Sequence, residues 1–267
     1  MTNKEYHARL ELSKSDLDLL AKSPYHFKHK NELRQEPTKA LILGSAVHKL
    51  VLENDDFDSE FIIEPSVDKR TKDGRAKYKE FLDNCNDRQI ITEIDYLQAK
   101  EMSDSILYAK ETAIFLKDGK AEQSYFGEIN GVKVRCRPDF YNEKLGVIVD
   151  LKTTSDASKT GFMKSVANFN YHIQHAFYTD ILRQNGKIVN HFMFLVVENK
   201  NPYLMGFYEL DDIAVNFGRE QYNKLLDLYK VCLERDEWWG YVNFNGEKIE
   251  AVQTISLPTW KFYENIV

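Results

Sequence analysis

Apolar positions recur along this chain at two spacings, and the switch between them divides it into three parts. In residues 1–118 the helical period dominates. Leu17, Leu19 and Leu20 give an apolar side to a helix over 16–22, capped by Ser13 or Ser15 and stopped by Pro24, with Tyr25, His26 and Phe27 in the loop beyond. Leu41, Val47, Leu50 and Val51 mark a helix over 40–52. A short strand is expected over 61–64, a polar basic loop over 68–75, and helices over 76–84 and 93–117, with Tyr78, Phe81, Leu82, Leu97, Ile106, Leu107 and Ile114 as core. Over 119–210 alternation takes over. Strands at 121–129 and 132–137 flank Asn130-Gly131, the signature of a two-residue hairpin turn. Phe140-Tyr141, a polar turn over 142–144 and the apolar run 145–149 make a second return. Helices over 158–167 and 171–185 and strands over 190–197 and 203–210 follow. The last part, 211–267, opens with an amphipathic helix over 211–237 bearing Phe217, Tyr222, Leu225, Leu226, Leu228 and Tyr229. Trp238, Trp239 and a polar, aromatic tail over 241–267 complete it. Strands interleaved with helices predict an α/β fold, a central mixed β-sheet flanked by helices. No Gly/Ser/Pro-rich linker interrupts the chain, so one domain over 1–267 is expected.

Chemistry concentrates in the sheet part. Arg137-Pro138-Asp139 ends one strand, and Asp150-Leu151-Lys152 ends the apolar run that follows. Residues 150 and 152 share a face of a strand, and Asp139 reaches that face from the neighbouring strand. Two carboxylates pressed together repel each other, so such a site calls for a cation. Hard oxygen ligands suit Mg²⁺ or Mn²⁺. A bound divalent ion activates water and neutralises a phosphate under attack, while a nearby lysine orients that water or stabilises the developing charge. Asp139, Asp150 and Lys152 are therefore a minimal set for metal-assisted phosphodiester hydrolysis; the plainer alternative is a surface hairpin with scattered charges. Arg137 is placed to pair with a carboxylate or a scissile phosphate. Thr153, Thr154 and Ser155 offer hydroxyls for phosphate contact or for capping the next helix. The first helix N-terminus and its serines, Ser15 among them, offer a phosphate site or pack against the next helix. Gly44 and His48 lie on one face of their helix, as do Gln174 and Tyr178 on theirs; Tyr178 reads equally as a core aromatic.

Composition narrows the setting. With 43% hydrophobic and 13% aromatic residues the chain can bury a substantial core. No apolar run approaches a membrane span and residues 1–10 are polar, so neither membrane association nor a signal peptide is expected. Cys85, Cys136 and Cys232 lie too far apart for a zinc site or a disulfide framework, which points to a reducing cytoplasm. A net charge of −6 argues against a general nucleic-acid coat but leaves room for an enzyme with its basic residues in a groove. Candidates are Lys28, Lys30 and Arg34, and then Arg70, Lys72, Arg75, Lys77 and Lys79, unless these are only solvated faces. No Walker A motif is present, so the chain itself carries no ATP motor.

Read in order, four groups of residues resemble one family. Pro138-Asp139 with Asp150-Leu151-Lys152 is similar to the signature of the PD-(D/E)xK nucleases. Gln174-His175-Ala176-Phe177-Tyr178 resembles the Gln-x-x-x-Tyr motif of the RecB-like and phage exonuclease branch, and Gly44-Ser45-Ala46-Val47-His48 its Gly-x-x-x-His helix. Ser13-Lys14-Ser15 and Ser23-Pro24-Tyr25-His26-Phe27 resemble its first helix and the Pro-x-x-Phe that follows. Over nearly its whole length the chain most resembles the exodeoxyribonuclease VIII (RecE-type) nuclease domain. The resemblance implies a restriction-endonuclease-like core. It also implies Mg²⁺, with Mn²⁺ as a substitute, held by His48, Asp139, Asp150 and the backbone carbonyl of Leu151. Glu122 is a further ligand or else a solvent-facing edge residue. Lys152 would position the attacking water, and Gln174 and Tyr178, with Arg137, Thr153, Thr154 and Ser15, would hold the substrate. Some RecB-like relatives hold an iron–sulfur cluster on four cysteines; Ser23 stands where one would fall, so no cluster is expected here. The implied activity is 5′→3′ resection of linear double-stranded DNA, leaving 3′ single strands for recombination with a single-strand annealing partner. The implied assembly is a ring-shaped homo-oligomer, commonly a tetramer, in a bacterial or phage-infected cytoplasm. The rival readings are a restriction or CRISPR-adaptation endonuclease, a catalytically silent DNA-binding relative, and a metal-binding scaffold.

Overall fold

In the computed structural model, which describes residues 1–33, 36–241 and 254–263, helices lead and the main sheet is built late. Helices α1 (Asn3–His7), α2 (Lys14–Lys22), α3 (Pro24–Lys28), α4 (Lys39–Leu52) and α5 (Phe57–Glu60) come first. A small parallel pair follows, β1 (Phe61–Ile63) and β2 (Gln89–Ile91), with α6 (Lys72–Asp83) between them. Then come α7 (Glu93–Leu107), α8 (Lys110–Ala113) and the short β3 (Lys120–Ala121). The hairpin β4 (Tyr125–Ile129) and β5 (Val132–Cys136) precedes β6 (Phe140–Asn142) and β7 (Val147–Thr154). Two helices, α9 (Lys159–Asn168) and α10 (Tyr171–Gln184), cross to β8 (His191–Glu198); β9 (Met205–Glu209) and α11 (Asp212–Arg235) follow. The main sheet runs β3-β6-β7-β8-β9, with β7 and β8 parallel and the other neighbours antiparallel.

Strand β7 is buried on both faces, which is why its sequence reads as a continuous apolar run. Val147, Val149 and Leu151 pack with Leu43, Val47, Met102 and Ile106 of α4 and α7. Ile148 points the other way, into a cluster with Ala176 and Phe177 of α10, Val134 of the hairpin and Leu226 of α11. Asp150 and Lys152 follow Ile148 in phase on that second face.

Several local expectations are corrected. Ser13, not Ser15, caps α2: its hydroxyl accepts from Asp16 N, while the Asp16 carboxylate accepts from Ser13 N, a capping box closed by aspartate. Pro24 does more than stop that helix; it opens α3 as the first residue after the Ser23 cap, where its missing N–H costs nothing. Thr71 caps α6 through Gly74 N, so 72–75 is helical rather than loop. The helix expected over 93–117 ends at Leu107, and Thr112 Oγ1 donates to Ile106 O at 2.7 Å to hold the break. Leu82, Leu97, Leu107 and Ile114, expected in the core, are exposed; on α7, Ala99, Met102 and Ile106 already supply the buried stripe that Leu97 and Leu107 would have joined. The strand expected over 121–129 breaks at Glu122, whose φ is 50°, and the hairpin forms its own two-stranded sheet. Its turn is as the sequence predicts, with Asn130 at φ 51° and Gly131 at φ 79° between the paired Ile129 and Val132. Arg34 and most of the tail over 241–267 lie outside the described residues. Among the described residues, no helix is long and apolar enough to cross a membrane.

Candidate active site

Register brings the acids together. Ala121 of β3 pairs with Phe140 of β6, and Phe140 pairs with Val149 of β7. One residue further along each strand stand Glu122, Asp139 and Asp150, so three carboxylates fall in one row across three strands. The spacing between Asp139 and Asp150 is what a tight antiparallel return requires for this. Beyond Val149 strand β6 no longer pairs with β7, and the Leu151 N–H is taken instead by Asp139 Oδ2 at 2.7 Å. The positive φ of Glu122 turns the chain out of the main sheet at the same point, and its N–H donates to the Asp139 carbonyl at 3.0 Å.

Helix α4 contributes His48, whose Nδ1 lies 3.5 Å from Asp139 Oδ2. Potential ligand atoms of His48, Glu122 and Asp139 all lie within 4.8 Å of one another. Asp150 stands apart from that trio. Fully buried, it receives Gln174 Nε2 of α10 at 2.5 Å on one oxygen and contacts Lys152 Nζ with the other. Burial dominates the electrostatics. It pushes the Glu122 carboxyl up to about 8, helped by the neighbouring Asp139. It raises Asp139 against the pull of Lys152 and the Leu151 N–H, and lifts Asp150 to about 6 against Lys152. Burial and Lys152 hold His48 down at about 4, so the imidazole is neutral and its lone pair available. Lys152 is raised above the usual lysine range by Asp150 and Asp139, which outweigh its burial.

Of the row, Glu122 opens onto a cleft of about 720 Å³, lined also by His48, Arg137, Leu151, Lys152 and Thr153 among others. Arg137 is held at its edge by Ser124 Oγ, 2.8 Å from Nη2, and lies over the Tyr6 ring. Three expected substrate contacts point elsewhere. Gln174 is buried against Asp150, where it positions the carboxylate. Tyr178 lies behind the acids, its phenol raised well above its usual range by burial and by Tyr6. Thr154 Oγ1 donates to Asp156 O at 3.3 Å. Ser15 is exposed on α2 and, unlike Thr153, does not line the cleft. Sequence reasoning gave no role to Lys14 and Tyr171, both beside Lys152. Tyr171 lies 4.8 Å from the Lys152 ammonium, and Lys14 reaches Phe169 O at 2.6 Å across 155 positions of sequence, a separation no local pattern signals. It also missed Lys49, buried in the cleft wall on Glu53, Asp56 and Glu60.

A mixed α/β sheet that aligns a Pro-Asp with an Asp-x-Lys beside a cleft defines a domain of the PD-(D/E)xK nuclease type. The chain belongs to the family described as PDDEXK-like domain of unknown function (DUF3799), which matches residues 13–253. The crystal structure of a "putative exonuclease" from Eubacterium rectale shares the fold, with a TM-score of 0.64 at 17% identity over 100% of this chain and 99% of that one. A second solved structure, SSO0001, has a TM-score of 0.28 at 13% identity over 69% of this chain and 87% of its own, too distant to bear on the site. Among proteins of curated function, none matches the sequence. Family and fold together support a nuclease.

Proposed function

We propose that this protein is a divalent-metal-dependent exodeoxyribonuclease that digests linear double-stranded DNA from its ends. The observation that carries the reading is the row Glu122–Asp139–Asp150, with His48 and Lys152 beside it, next to an open cleft that Glu122, His48 and Lys152 line. The donor set fits a hard cation: two carboxylates and a neutral imidazole within 4.8 Å, held among acids that burial drives toward protonation. Glu122, Asp139 and His48 would hold Mg²⁺ or Mn²⁺, with Asp150 and the Leu151 carbonyl completing the site from β7. When bound, the ion lowers the pKa of a coordinated water and neutralises charge on the phosphate.

The side chains supply the rest. Lys152 stays cationic, and its contact with Asp150 aims the ammonium at the attacked phosphate, where it orients water and stabilises developing charge. Gln174 keeps Asp150 in place. Arg137 is fixed at the rim to receive a non-bridging phosphate oxygen.

The resemblance to exodeoxyribonuclease VIII supports the finer reading. In it one folded cytoplasmic domain assembles as a ring, digests 5′→3′ and leaves a 3′ strand for an annealing partner. Linear DNA labelled at the 5′ or the 3′ end, incubated with and without Mg²⁺ beside a closed circle, tests it. We expect metal-dependent early release of the 5′ label and an intact circle. Early release of the 3′ label would reverse the polarity, cutting of the circle would make the protein an endonuclease, and inertness toward all three would refute the nuclease reading.

A further inference from the structure

Phe169 occupies the cleft rim in the turn between α9 and α10, with 58% of its surface exposed. A phenylalanine at a turn tip forgoes the stabilisation of burial, so such tips are ordinarily polar. The turn is nonetheless fixed. Asn170 adopts the left-handed conformation, φ 54° and ψ 41°, which asparagine tolerates. Lys14 of α2 donates to the Phe169 carbonyl at 2.6 Å and to Asp18 Oδ2 at 2.7 Å, and Asn170 Nδ2 lies 3.4 Å from Asp18 Oδ1. On its inner side the Phe169 ring stacks on Tyr171, with centroids 5.6 Å apart and planes 29° from parallel. The Tyr171 ring lies 4.8 Å from Lys152 Nζ and 5.8 Å from Lys14 Nζ. An exposed aromatic ring is thus held two ring contacts from the ammonium assigned to the phosphate, with cations beside it.

We propose that Phe169, backed by Tyr171, is a stacking platform for a nucleobase next to the phosphate bound at Lys152. This rests on the nuclease reading and adds how the strand is gripped. The cations suit the strand's backbone and the open ring suits a base of any sequence, since every base offers a π face. A base stacked there would be unpaired, so the platform would favour duplex ends that have opened.

The test is binding of the full chain, with Ca²⁺ in place of Mg²⁺, to labelled single strands carrying one abasic site moved along the sequence. Loss of a stacked base costs on the order of tenfold in affinity. We expect one abasic position to weaken wild-type binding by about that factor, and Phe169→Ala to weaken binding of the intact strand similarly while becoming insensitive to that position. Phe169→Trp should restore the sensitivity. If Phe169→Ala discriminates against the abasic strand as wild type does, or binds the intact strand as tightly, the platform is refuted while the nuclease reading stands. If the wild-type chain binds no DNA and digests none, both fall.

Discussion

Two regions of this molecule bury aspartates and treat them differently. At the start of α2, Asp16 accepts from Ser13 N at 2.9 Å, from Ser13 Oγ at 2.8 Å and from Lys30 Nζ at 2.6 Å, with Arg135 at 3.8 Å. Asp180 of α10 is similar, taking Arg219 Nε at 2.7 Å, Nη2 at 3.0 Å and the Tyr222 hydroxyl at 2.5 Å. Beside the cleft, Glu122, Asp139 and Asp150 lean on Lys152 and, at the rim, Arg137. A carboxylate that serves the fold has its charge and lone pairs answered inside the protein. The cleft acids are left short of positive charge, and burial drives all three upward. That deficit marks a site whose missing partner comes from solution.

The contrast predicts opposite costs for similar changes. Asp139→Ala or Asp150→Ala should abolish metal-dependent DNA digestion, a loss on the order of 10³-fold or more. Asp139→Ala should leave folding stability unchanged or improved because repulsion is relieved, whereas Asp150→Ala also strands Lys152 and Gln174. Asp16→Ala should cost about 3–5 kcal/mol, because it leaves Arg135 buried without its counter-charge. Denaturant melts and digestion rates on the purified variants measure both. A protein unfolded by Asp139→Ala, or fully active without Asp150, would break the contrast.

Much of this contrast is legible in the sequence, and its limits are physical. The Asn130-Gly131 turn and the apolar run of β7 are set by local chemistry, so both appear as expected. The nearness of Asp139 and Asp150 follows from a short return between strands. The place of Glu122 depends on a single residue with positive φ that stops β3 and aligns it with Phe140, which alternation cannot reveal. The shared face of Gln174 and Tyr178 is visible in their spacing. Its direction, toward Asp150 rather than toward open cleft, is set by how α10 crosses β7. Ser13 and Ser15 both fit a helix start, and only the reciprocal bond with Asp16 decides between them.

Removing the support for Asp150 sharpens the comparison. Gln174→Leu keeps the volume but takes away the 2.5 Å hydrogen bond, leaving that oxygen without its donor in a buried setting. Activity should fall by about 10- to 100-fold, the usual effect of an outer-shell partner. The Asp150 carboxyl, already raised to about 6, should rise further, moving the acid limb of the pH–rate profile upward. A fall in rate with an unmoved profile would mean that Gln174 acts by some other route than through Asp150.

The charge deficit also has a pH signature in the metal-free protein. Glu122 and Asp150 have folded-state pKa values raised above those of the unfolded chain, so the folded state binds more protons and is stabilised as pH falls. Below about pH 6.5 the depressed His48, whose unfolded form gains a proton, opposes this. Between pH 8 and 6.5 the metal-free chain should therefore gain stability, on the order of 1 kcal/mol or about 2–4 °C in Tm. Saturating Mg²⁺ should stabilise most at the alkaline end and flatten the trend, because proton and ion compete for the same oxygens. A melting temperature that falls across this window without metal would contradict the assigned charge deficit.

The smallest effect tests whether α4 must lie as close to β7 as it does. A Cβ on Gly44 would stand 3.2 Å from Thr153 Oγ1, tighter than ordinary contact but against a half-buried hydroxyl that can yield. Alanine is the better helix former by about 0.5–1 kcal/mol, so Gly44→Ala should leave stability equal or raise it by up to that amount. Thr153 lines the cleft one residue from Lys152, so moving it by a few tenths of an ångström should slow digestion by less than about tenfold, well short of the penalty for a full ångström. A larger loss at full stability would mean that the substrate backbone itself passes over Gly44, and that the glycine is kept for the DNA rather than for the strand beneath it.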